Sequence, residues 1–135
     1  MLSASQIKAL LKKENIRIKK RLGQNFLVDR RYLEKVISSC GVTKQDIVVE
    51  IGPGLGALTE DLSLNAGHLT AVEADKDLYK FLEKALKLKN VALILKDILK
   101  FDFRQLSEKF SAKIKLVGNL PFYIFKSYLV VFLQI

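Results

Sequence analysis

The sequence has few of the residues that build disulfide-bonded, metal-binding or membrane-spanning proteins. Its 135 residues include 1 Cys, 1 His, 2 Pro and no Trp. The single Cys40 excludes disulfides within the chain and cysteine zinc sites, and it favours a reducing compartment such as the cytoplasm. The single His68 argues against histidine metal sites and His-dependent triads. Charged residues interrupt the first 18 positions, and no apolar run approaches the roughly 20 residues that cross a bilayer. We therefore expect no metal site, signal peptide or membrane span.

What is present fits one folded domain. Hydrophobic residues make up 50% of the chain and charged residues 27%, a composition unlike that of disordered or fibrous proteins. The length is typical of one compact domain and is too short for two.

The positive charge is concentrated near the start of the chain. The net charge is +9, and residues 1–35 hold 10 basic and 3 acidic residues, which gives +7 in this segment. A basic arm on a nearly neutral body predicts a polyanionic partner, because neutralised phosphates release counterions. A solvated helix face or an organelle transit peptide remains an alternative for this segment.

Apolar spacing predicts strands and helices in alternation. This rhythm is typical of an α/β fold with a mostly parallel, doubly wound sheet. Helices are predicted at Ser5–Lys13, Asp29–Cys40, Ala57–Leu64 and Lys76–Leu88, and strands at Ile47–Ile51, Leu69–Val72, Val91–Leu95 and Ile114–Val117.

Several single residues have simpler interpretations. We expect Cys40 to be a small core residue and His68 to lie in a loop between a helix and a strand. Phe81, Phe101, Phe103 and Phe110 are expected to pack in the core or against a helix.

A polar residue lies at or near the end of each predicted strand. These residues are Glu50, Glu73, Asp97 and Asn119, with spacings of 23, 24 and 22 residues. Each spacing equals one strand–helix–strand step, so all four are expected at one edge of the sheet, where such folds bind ligands.

The first of these strands leads into a glycine-rich turn, Gly52–Gly56 (GPGLG), and then a predicted helix. Glycines allow positive φ angles and let a ligand approach the backbone closely. The spacing is G-x-G-x-G, not the G-x-G-x-x-G of dinucleotide folds. Glu73, about 20 residues on, is placed to accept hydrogen bonds from ribose hydroxyls. Asp97 could accept from an adenine amine, so the pattern indicates an adenosine-containing cofactor.

Five segments together resemble the ribosomal RNA adenine N6-dimethyltransferases, which use S-adenosyl-L-methionine. The resemblance runs from Lys19 to Phe122 and implies a Rossmann-like class I methyltransferase fold. The segments that carry it are Gly23–Leu27 (GQNFL), Glu50–Thr59 (EIGPGLGALT), Glu73–Asp75 (EAD), Lys96–Leu99 (KDIL) and Asn119–Phe122 (NLPF).

The resemblance also implies a cofactor site. Gln24 and Leu27 would border the methionine end of the cofactor, and Glu73 would bind its ribose. Asp97 would hold the adenine amine, with Ala74 nearby. The full implied set is Gln24, Asn25, Leu27, Gly52, Gly54, Glu73, Ala74, Asp97, Ile98 and Asn119.

Asn119, Leu120, Pro121 and Phe122 would form the catalytic pocket for the target base. An adenine amine is a poor nucleophile, because its lone pair is delocalised into the ring. The Asn119 side-chain oxygen and the Leu120 carbonyl could accept the two amine protons, with Pro121 fixing the backbone. Phe122 could stack on a flipped base. Catalysis would then rest on alignment for in-line methyl transfer.

The resemblance implies dimethylation of adenines in small-subunit ribosomal RNA during ribosome biogenesis. Phe122 also occurs in the related large-subunit enzymes of the macrolide-resistance type, whereas Leu120 favours the small-subunit group. Two functions of a different class also stay open, a non-catalytic RNA-binding or assembly factor and a nicotinamide-dependent oxidoreductase.

The resemblance further implies that residues 1–135 form part of a methyltransferase domain, with residues 1–35 as its basic segment. The family's remaining strands and its helical carboxy-terminal domain lie outside this sequence. We therefore expect most of the cofactor site here, without full activity.

Overall fold

A computed structural model of the chain describes residues 2–19, 29–121 and 128–134, and for residues 119–121 and 128–134 it describes only the backbone. Helices and strands alternate along most of this length. The helices are α1 (Ala4–Lys13), α2 (Arg30–Cys40), α3 (Ala57–Asn65), α4 (Lys76–Ala85) and α5 (Phe103–Phe110), with a 3-10 turn at Ile98–Lys100. The strands are β1 (Ile47–Ile51), β2 (His68–Glu73), β3 (Val91–Leu95), β4 (Ile114–Pro121) and β5 (Tyr128–Gln134).

The strands form one sheet in the order β3-β2-β1-β4-β5. The first four run parallel, and β5 pairs antiparallel with β4. The predicted α/β fold with a mostly parallel sheet is confirmed. Parallel strands place all their ends together, so the sheet has an amino edge, where β1 to β4 begin, and a carboxyl edge, where they end.

Apolar side chains cover both faces of the sheet. On one face, Val48 of β1 packs in a cluster with Leu33 of α2 and Leu62 of α3. On the other face, Val49 packs with Ile114, and half-buried residues of α5 and the 3-10 turn lie against them. Residues that alternate along β1 therefore serve opposite faces, as expected for a strand buried on both sides. Cys40 lies in the first cluster, which confirms it as a core residue.

Helix α1 packs near the carboxyl edge. Ser3 caps it in a reciprocal capping box with Gln6. Its buried residues Ile7 and Leu11 contact Leu78 at the start of α4, and Leu55 of the glycine turn packs against the same cluster. The basic amino-terminal helix therefore lies beside the predicted ligand edge.

The structure corrects several predicted boundaries. Helix α5 was not predicted as a helix; Asp102 begins it, since its side chain accepts a hydrogen bond from the Gln105 N–H at 3.0 Å. His68 is the first residue of β2 rather than a loop residue, and α4 ends at Ala85, before Leu88. Strand β4 continues to Pro121 because β5 pairs with it along most of its length.

Within the described part of the chain, no helix is long and apolar enough to cross a membrane.

Candidate functional site

The turn between β1 and α3 depends on three glycines in the left-handed region of φ. Gly52 has φ +65°, Gly54 +62° and Gly56 +86°. The Gly52 N–H donates to the Val72 carbonyl at 3.0 Å, which ties the turn to β2. A Cβ atom on Gly52 would have no atom within 4 Å, so its backbone faces open space. The turn therefore exposes backbone to which a ligand can lie close.

Glu73, the last residue of β2, is hydrogen-bonded to this turn through its side chain. Its Oε2 accepts a hydrogen bond from the Gly54 N–H at 3.2 Å, and its Oε1 accepts one from the Asp75 N–H at 2.9 Å. The side chain is buried, and burial raises the pKa of Glu73 above its ordinary value, although the two N–H donors counteract this effect. The structure thus brings together the predicted ribose ligand and the predicted cofactor turn.

Glu50 lies deeper than its place in the sequence pattern indicated. It is the fourth residue of the five in β1 and is only 1% exposed. Its Oε2 has no hydrogen-bond partner among the described residues, and neither has the buried Oγ1 of Thr59 on α3. Burial raises the pKa of Glu50 to about 8; the nearby Thr59 hydroxyl opposes this shift and the Glu73 carboxylate adds to it. Glu50 is a buried carboxyl, not an edge residue open to solvent.

Asp75 connects the site to the amino-terminal segment. Its buried carboxylate caps α4 by accepting from the N–H groups of Asp77 and Leu78, at 2.8 and 3.3 Å. Lys19 Nζ lies 3.0 Å from Asp75 Oδ2 and 3.5 Å from Asp77 Oδ2. The bond to Asp75 raises the pKa of Lys19. The chain therefore reaches the carboxyl edge just before the predicted GQNFL motif.

Asp97 follows β3 at the same edge and is exposed. Its Oδ1 accepts from the Leu99 N–H at 2.9 Å, which begins the 3-10 turn. The neighbouring Lys96 N–H donates to the Glu73 carbonyl at 2.9 Å, so the ends of β2 and β3 are linked. Ala74 is exposed between them, whereas Ile98 packs partly against the core. The two acids predicted to bind the two parts of an adenosine therefore stand on adjacent strands.

Asn119, Leu120 and Pro121 form the last three residues of β4. Their backbones pair with Val130, Leu129 and Tyr128 of β5. Pairing with β1 ends one residue earlier, where Gly118 lies opposite Ile51. On the side that faces β1, the backbone of Asn119, Leu120 and Pro121 therefore has no strand partner among the described residues. The predicted residues Phe122, Gln24, Asn25 and Leu27 lie outside the described residues.

Three residues near the site were given no role by sequence reasoning: Thr59, Asp75 and Lys19. An Asp directly before a predicted helix is an N-cap signal, so Asp75 could have been found. The contacts of Thr59 and Lys19 depend on tertiary packing, which local patterns do not contain.

Nothing in this site resembles a metal centre: among the described residues, no group of three or more His, Cys, Asp or Glu side chains could hold an ion. The arrangement instead suits an adenosine-containing cofactor, because the open glycine turn and the Glu73 carboxylate lie next to each other. Helix α3 also begins at Gly56 without a side-chain cap, and such a helix start can accept a ligand carboxylate.

Comparison with known proteins decides the family. A family model described as ribosomal RNA adenine dimethylase matches residues 15–133. The chain belongs to this family. It is 44% identical over 118 residues to ribosomal RNA small subunit methyltransferase A of Clostridium botulinum, an alignment that covers 87% of this chain and 42% of that protein. The protein of the same name from Enterococcus faecalis is 41% identical over 134 residues, covering 96% of this chain and 45% of that protein.

These coverages show that the chain spans somewhat under half the length of the curated relatives it matches. Among solved structures, a dimethyladenosine transferase from Plasmodium falciparum is similar with a TM-score of 0.56 and 20% identity, over 70% of this chain and 43% of that one. The 23S rRNA methyltransferase ErmE is similar with a TM-score of 0.54 and 24% identity, over 71% and 48%. These two likenesses show that the chain shares their fold.

Proposed function

We propose that this chain carries the S-adenosylmethionine-binding part of an rRNA adenine N6-dimethyltransferase that acts on small-subunit ribosomal RNA during ribosome biogenesis. One observation carries the proposal: the Glu73 carboxylate accepts a hydrogen bond from Gly54, in a turn where Gly52 leaves open space. Membership of the dimethylase family supports the same function. Residues 1–135 then form one part of a longer enzyme, with residues 1–35 as its basic segment.

The cofactor, when bound, supplies an activated methyl group on a sulfonium. Glu73 keeps acceptor capacity for ribose hydroxyls, because each carboxylate oxygen has a second lone pair beside the one used by Gly54 or Asp75. Asp97 is exposed one strand away, where it can accept from an adenine amine. The remaining residues proposed for this site are Gln24, Asn25, Leu27, Gly52, Ala74, Ile98 and Asn119.

The target adenine would lie against the end of β4. Beyond Gly118 the β1 side of this strand has no described partner, so a carbonyl of Asn119 or Leu120 directed to that side can accept an amine proton. Holding both amine protons favours a pyramidal nitrogen whose lone pair points at the methyl group. The amine is thus positioned for in-line transfer without a strong base. Phe122 would supply the stacking face.

The RNA would approach over α1. Lys8, Lys12, Lys13 and Arg17 are exposed on or just after this helix, and the helix packs beside the glycine turn. Cationic side chains next to the site would bind phosphates of the RNA whose adenine enters the pocket.

The choice of small-subunit RNA follows the names of the relatives. The curated proteins at 39–50% identity are called small subunit methyltransferase A, whereas the 23S enzyme is similar at 24% identity. We also propose a cytoplasmic location, which agrees with the free and buried Cys40.

The cofactor site is tested by calorimetric titration of S-adenosylmethionine into the protein, with a matched pair of glycine variants. Gly52 and Gly41 both have left-handed φ angles, and neither would meet an atom within 4 Å of an added Cβ. Gly41→Ala and Gly52→Ala should therefore cost similar stability, about 1 kcal/mol each. Only Gly52→Ala should weaken cofactor binding, by at least tenfold. Equal binding by the two variants would show that the turn does not hold the cofactor.

Catalysis is tested separately with Asn119→Ala. Made in the longer enzyme of which this chain forms one part, the variant should lose methyl transfer to small-subunit ribosomal RNA by a far larger factor than it loses affinity for S-adenosylmethionine, because Asn119 is proposed to contact the target amine as well as the cofactor. A non-catalytic RNA-binding factor would transfer no methyl group in either form. Preferential methylation of 23S RNA would instead favour the large-subunit alternative.

A further inference from the structure

Three polar side chains are buried together beneath the glycine turn. Glu50 and Glu73 lie on the same face of the sheet, since Glu50 is paired with Ala71 and Glu73 lies two residues further along β2. Thr59 reaches the cluster from the first turn of α3, close to Glu50. All three side chains belong to residues that are 5% exposed or less.

The two carboxyl groups differ in the hydrogen bonds that they receive from the protein. Glu73 receives two backbone N–H bonds, from Gly54 and Asp75, and such donors stabilise its anion. Glu50 Oε2 receives none from the described residues, and the Thr59 hydroxyl also lacks a partner there. A buried carboxyl with an oxygen that receives no hydrogen bond is costlier to ionise than one that receives two backbone N–H bonds, so a proton shared by this cluster belongs on Glu50.

No cation compensates Glu50 among the residues that the structure describes. From β2 it faces the Glu73 carboxylate, from α3 the Thr59 hydroxyl, and on β4 it is paired with the apolar Val117. The positive charge of Lys115 acts at the amino edge of the sheet, where it partly offsets the rise that burial causes in the pKa of Cys40 at the end of α2. Lys19 lies at the carboxyl edge but pairs with Asp75 and Asp77.

We propose that Glu50 holds a proton in the free protein and releases it to solvent when the positively charged end of the cofactor binds at the glycine turn. This inference rests on the proposed function. S-adenosylmethionine carries a sulfonium and an ammonium, and a positive charge beside the buried cluster favours the Glu50 anion. The site thereby selects for cofactor charge, because a neutral analogue offers nothing to stabilise that anion.

The burial that raises the pKa of Glu50 to about 8 makes this coupling visible at neutral pH. Proton release on binding makes affinity rise with pH below about pH 8, by up to tenfold per pH unit. Above pH 8 the affinity should level off, since Glu50 is then already ionised in the free protein.

The test is calorimetry of S-adenosylmethionine binding at pH 7 in buffers of different ionisation enthalpy, which counts the protons released. We expect release approaching one proton for S-adenosylmethionine and none for methylthioadenosine, which keeps the sulfur and adenosine but lacks both positive groups. Glu50→Gln should abolish the release. Glu60→Gln, a change at an exposed glutamate of α3, should leave it unchanged. Binding of S-adenosylmethionine by the parent protein without proton release would overturn the proposal and leave the proposed function intact.

A second measurement needs no cofactor and separates the two failures. The side-chain carboxyl carbon of Glu50, followed by NMR in the free protein, should titrate far above the ordinary pKa of 4.5. Thr59→Val removes the nearby hydroxyl while keeping the side-chain shape, and it should move this titration to still higher pH. Titration near pH 4.5 would overturn the proposal even if the cofactor binds. Absence of cofactor binding would instead overturn the proposed function, and the coupling with it.

Discussion

At the amino edge of the sheet, the Asp46 carboxylate lies 2.8 Å from Lys115 Nζ and accepts a hydrogen bond from the Thr43 N–H at 2.7 Å. Four residues later, at the other end of β1, the Glu50 carboxyl lacks a partner for Oε2 among the described residues. Burial tends to raise the pKa of both groups. At Asp46 the bonds from Lys115 and Thr43 outweigh it, so the pKa falls below its ordinary value of 3.8, whereas the pKa of Glu50 rises to about 8.

This difference distinguishes a carboxylate that stabilises the sheet, Asp46, from a carboxyl that can still interact with a ligand, Glu50. A carboxylate with its cation and its N–H donors already in place has little left to offer a ligand. A buried carboxyl without them costs stability, and natural proteins keep such groups mainly where they serve a function. The carboxyl edge also contains the three left-handed glycines of the turn, which fits the same interpretation.

The two edges should respond to pH in opposite directions, and this is the largest effect we expect. The pKa of Glu50 is raised in the folded state, so its contribution to stability is lost as pH rises from about 4.5 to about 8. The pKa of Asp46 is lowered, so its contribution is lost only as pH falls below about 4. Glu50→Gln should remove the alkaline loss, on the order of a few kcal/mol at pH 8.

Urea denaturation of the parent protein and of Glu50→Gln between pH 5 and 9 measures this effect. The difference in stability between the two proteins should change steadily as the pH rises from 5 to 8, because only the parent loses stability through Glu50. Parallel curves would contradict a raised pKa for Glu50.

Breaking the ion pair at the amino edge should have the next largest effect. Asp46→Asn removes the charge that pairs with Lys115, whose side chain is 15% exposed. We expect a loss of about 2 kcal/mol, less than for a fully buried pair because both partners keep some contact with water. The matched control is Glu34→Gln, since the Arg30–Glu34 pair is more than half exposed and should cost under about 0.5 kcal/mol. Cofactor affinity should not change in either variant; a weaker affinity in Asp46→Asn would show that the two edges are coupled.

The fold was largely predictable, because its information is local. Ile47–Ile51 and Val91–Leu95 are short apolar runs bounded by turn residues, and both strands have the predicted bounds. Helix α5 was missed although Phe103, Leu106 and Phe110 recur at helical spacing, because the segment is only eight residues long. Strand β4 was predicted too short, since Asn119 and Pro121 usually break strands. Pro121 is accommodated at the very end of the strand, where β5 pairs with it.

The site was predictable in its composition but not in its energetics. The spacing of Glu73 and Asp97 correctly indicated the carboxyl edge of the sheet, whereas Glu50 lies deeper in β1. The structure also joins Glu73 to the glycine turn. Spacing along the sequence cannot show that α3 and Thr59 cover Glu50, because burial is a property of the packed fold. The assignment of a ribose, an adenine or a target base to particular residues stays a prediction.

Replacing a glycine at each edge with alanine should give a smaller difference in stability. Gly56 caps α3 at the carboxyl edge with φ +86°, and an added Cβ would lie 3.1 Å from Leu82 Cδ2. Gly41 caps α2 with φ +53° and has open space around it. Gly56→Ala should therefore cost about 1–2 kcal/mol and Gly41→Ala about 1 kcal/mol, in thermal denaturation. Equal losses would mean that the Leu82 side chain moves aside without cost.

The smallest effect we expect concerns the lysines near each edge. Lys8 and Lys12 are exposed on one face of α1, which packs beside the glycine turn, whereas Lys87 and Lys89 are exposed before β3 at the amino edge. Replacing either pair with Gln lowers the net charge equally, so a difference between the two variants reports location. If RNA approaches over α1, only the Lys8→Gln and Lys12→Gln variant should lower the slope of log affinity against log salt, by nearly 2 for duplex RNA contacts. Filter binding of a small-subunit rRNA fragment at several salt concentrations measures that slope. Equal slopes for both variants would mean that the RNA is attracted by the overall charge of the protein and does not use α1 as its docking surface.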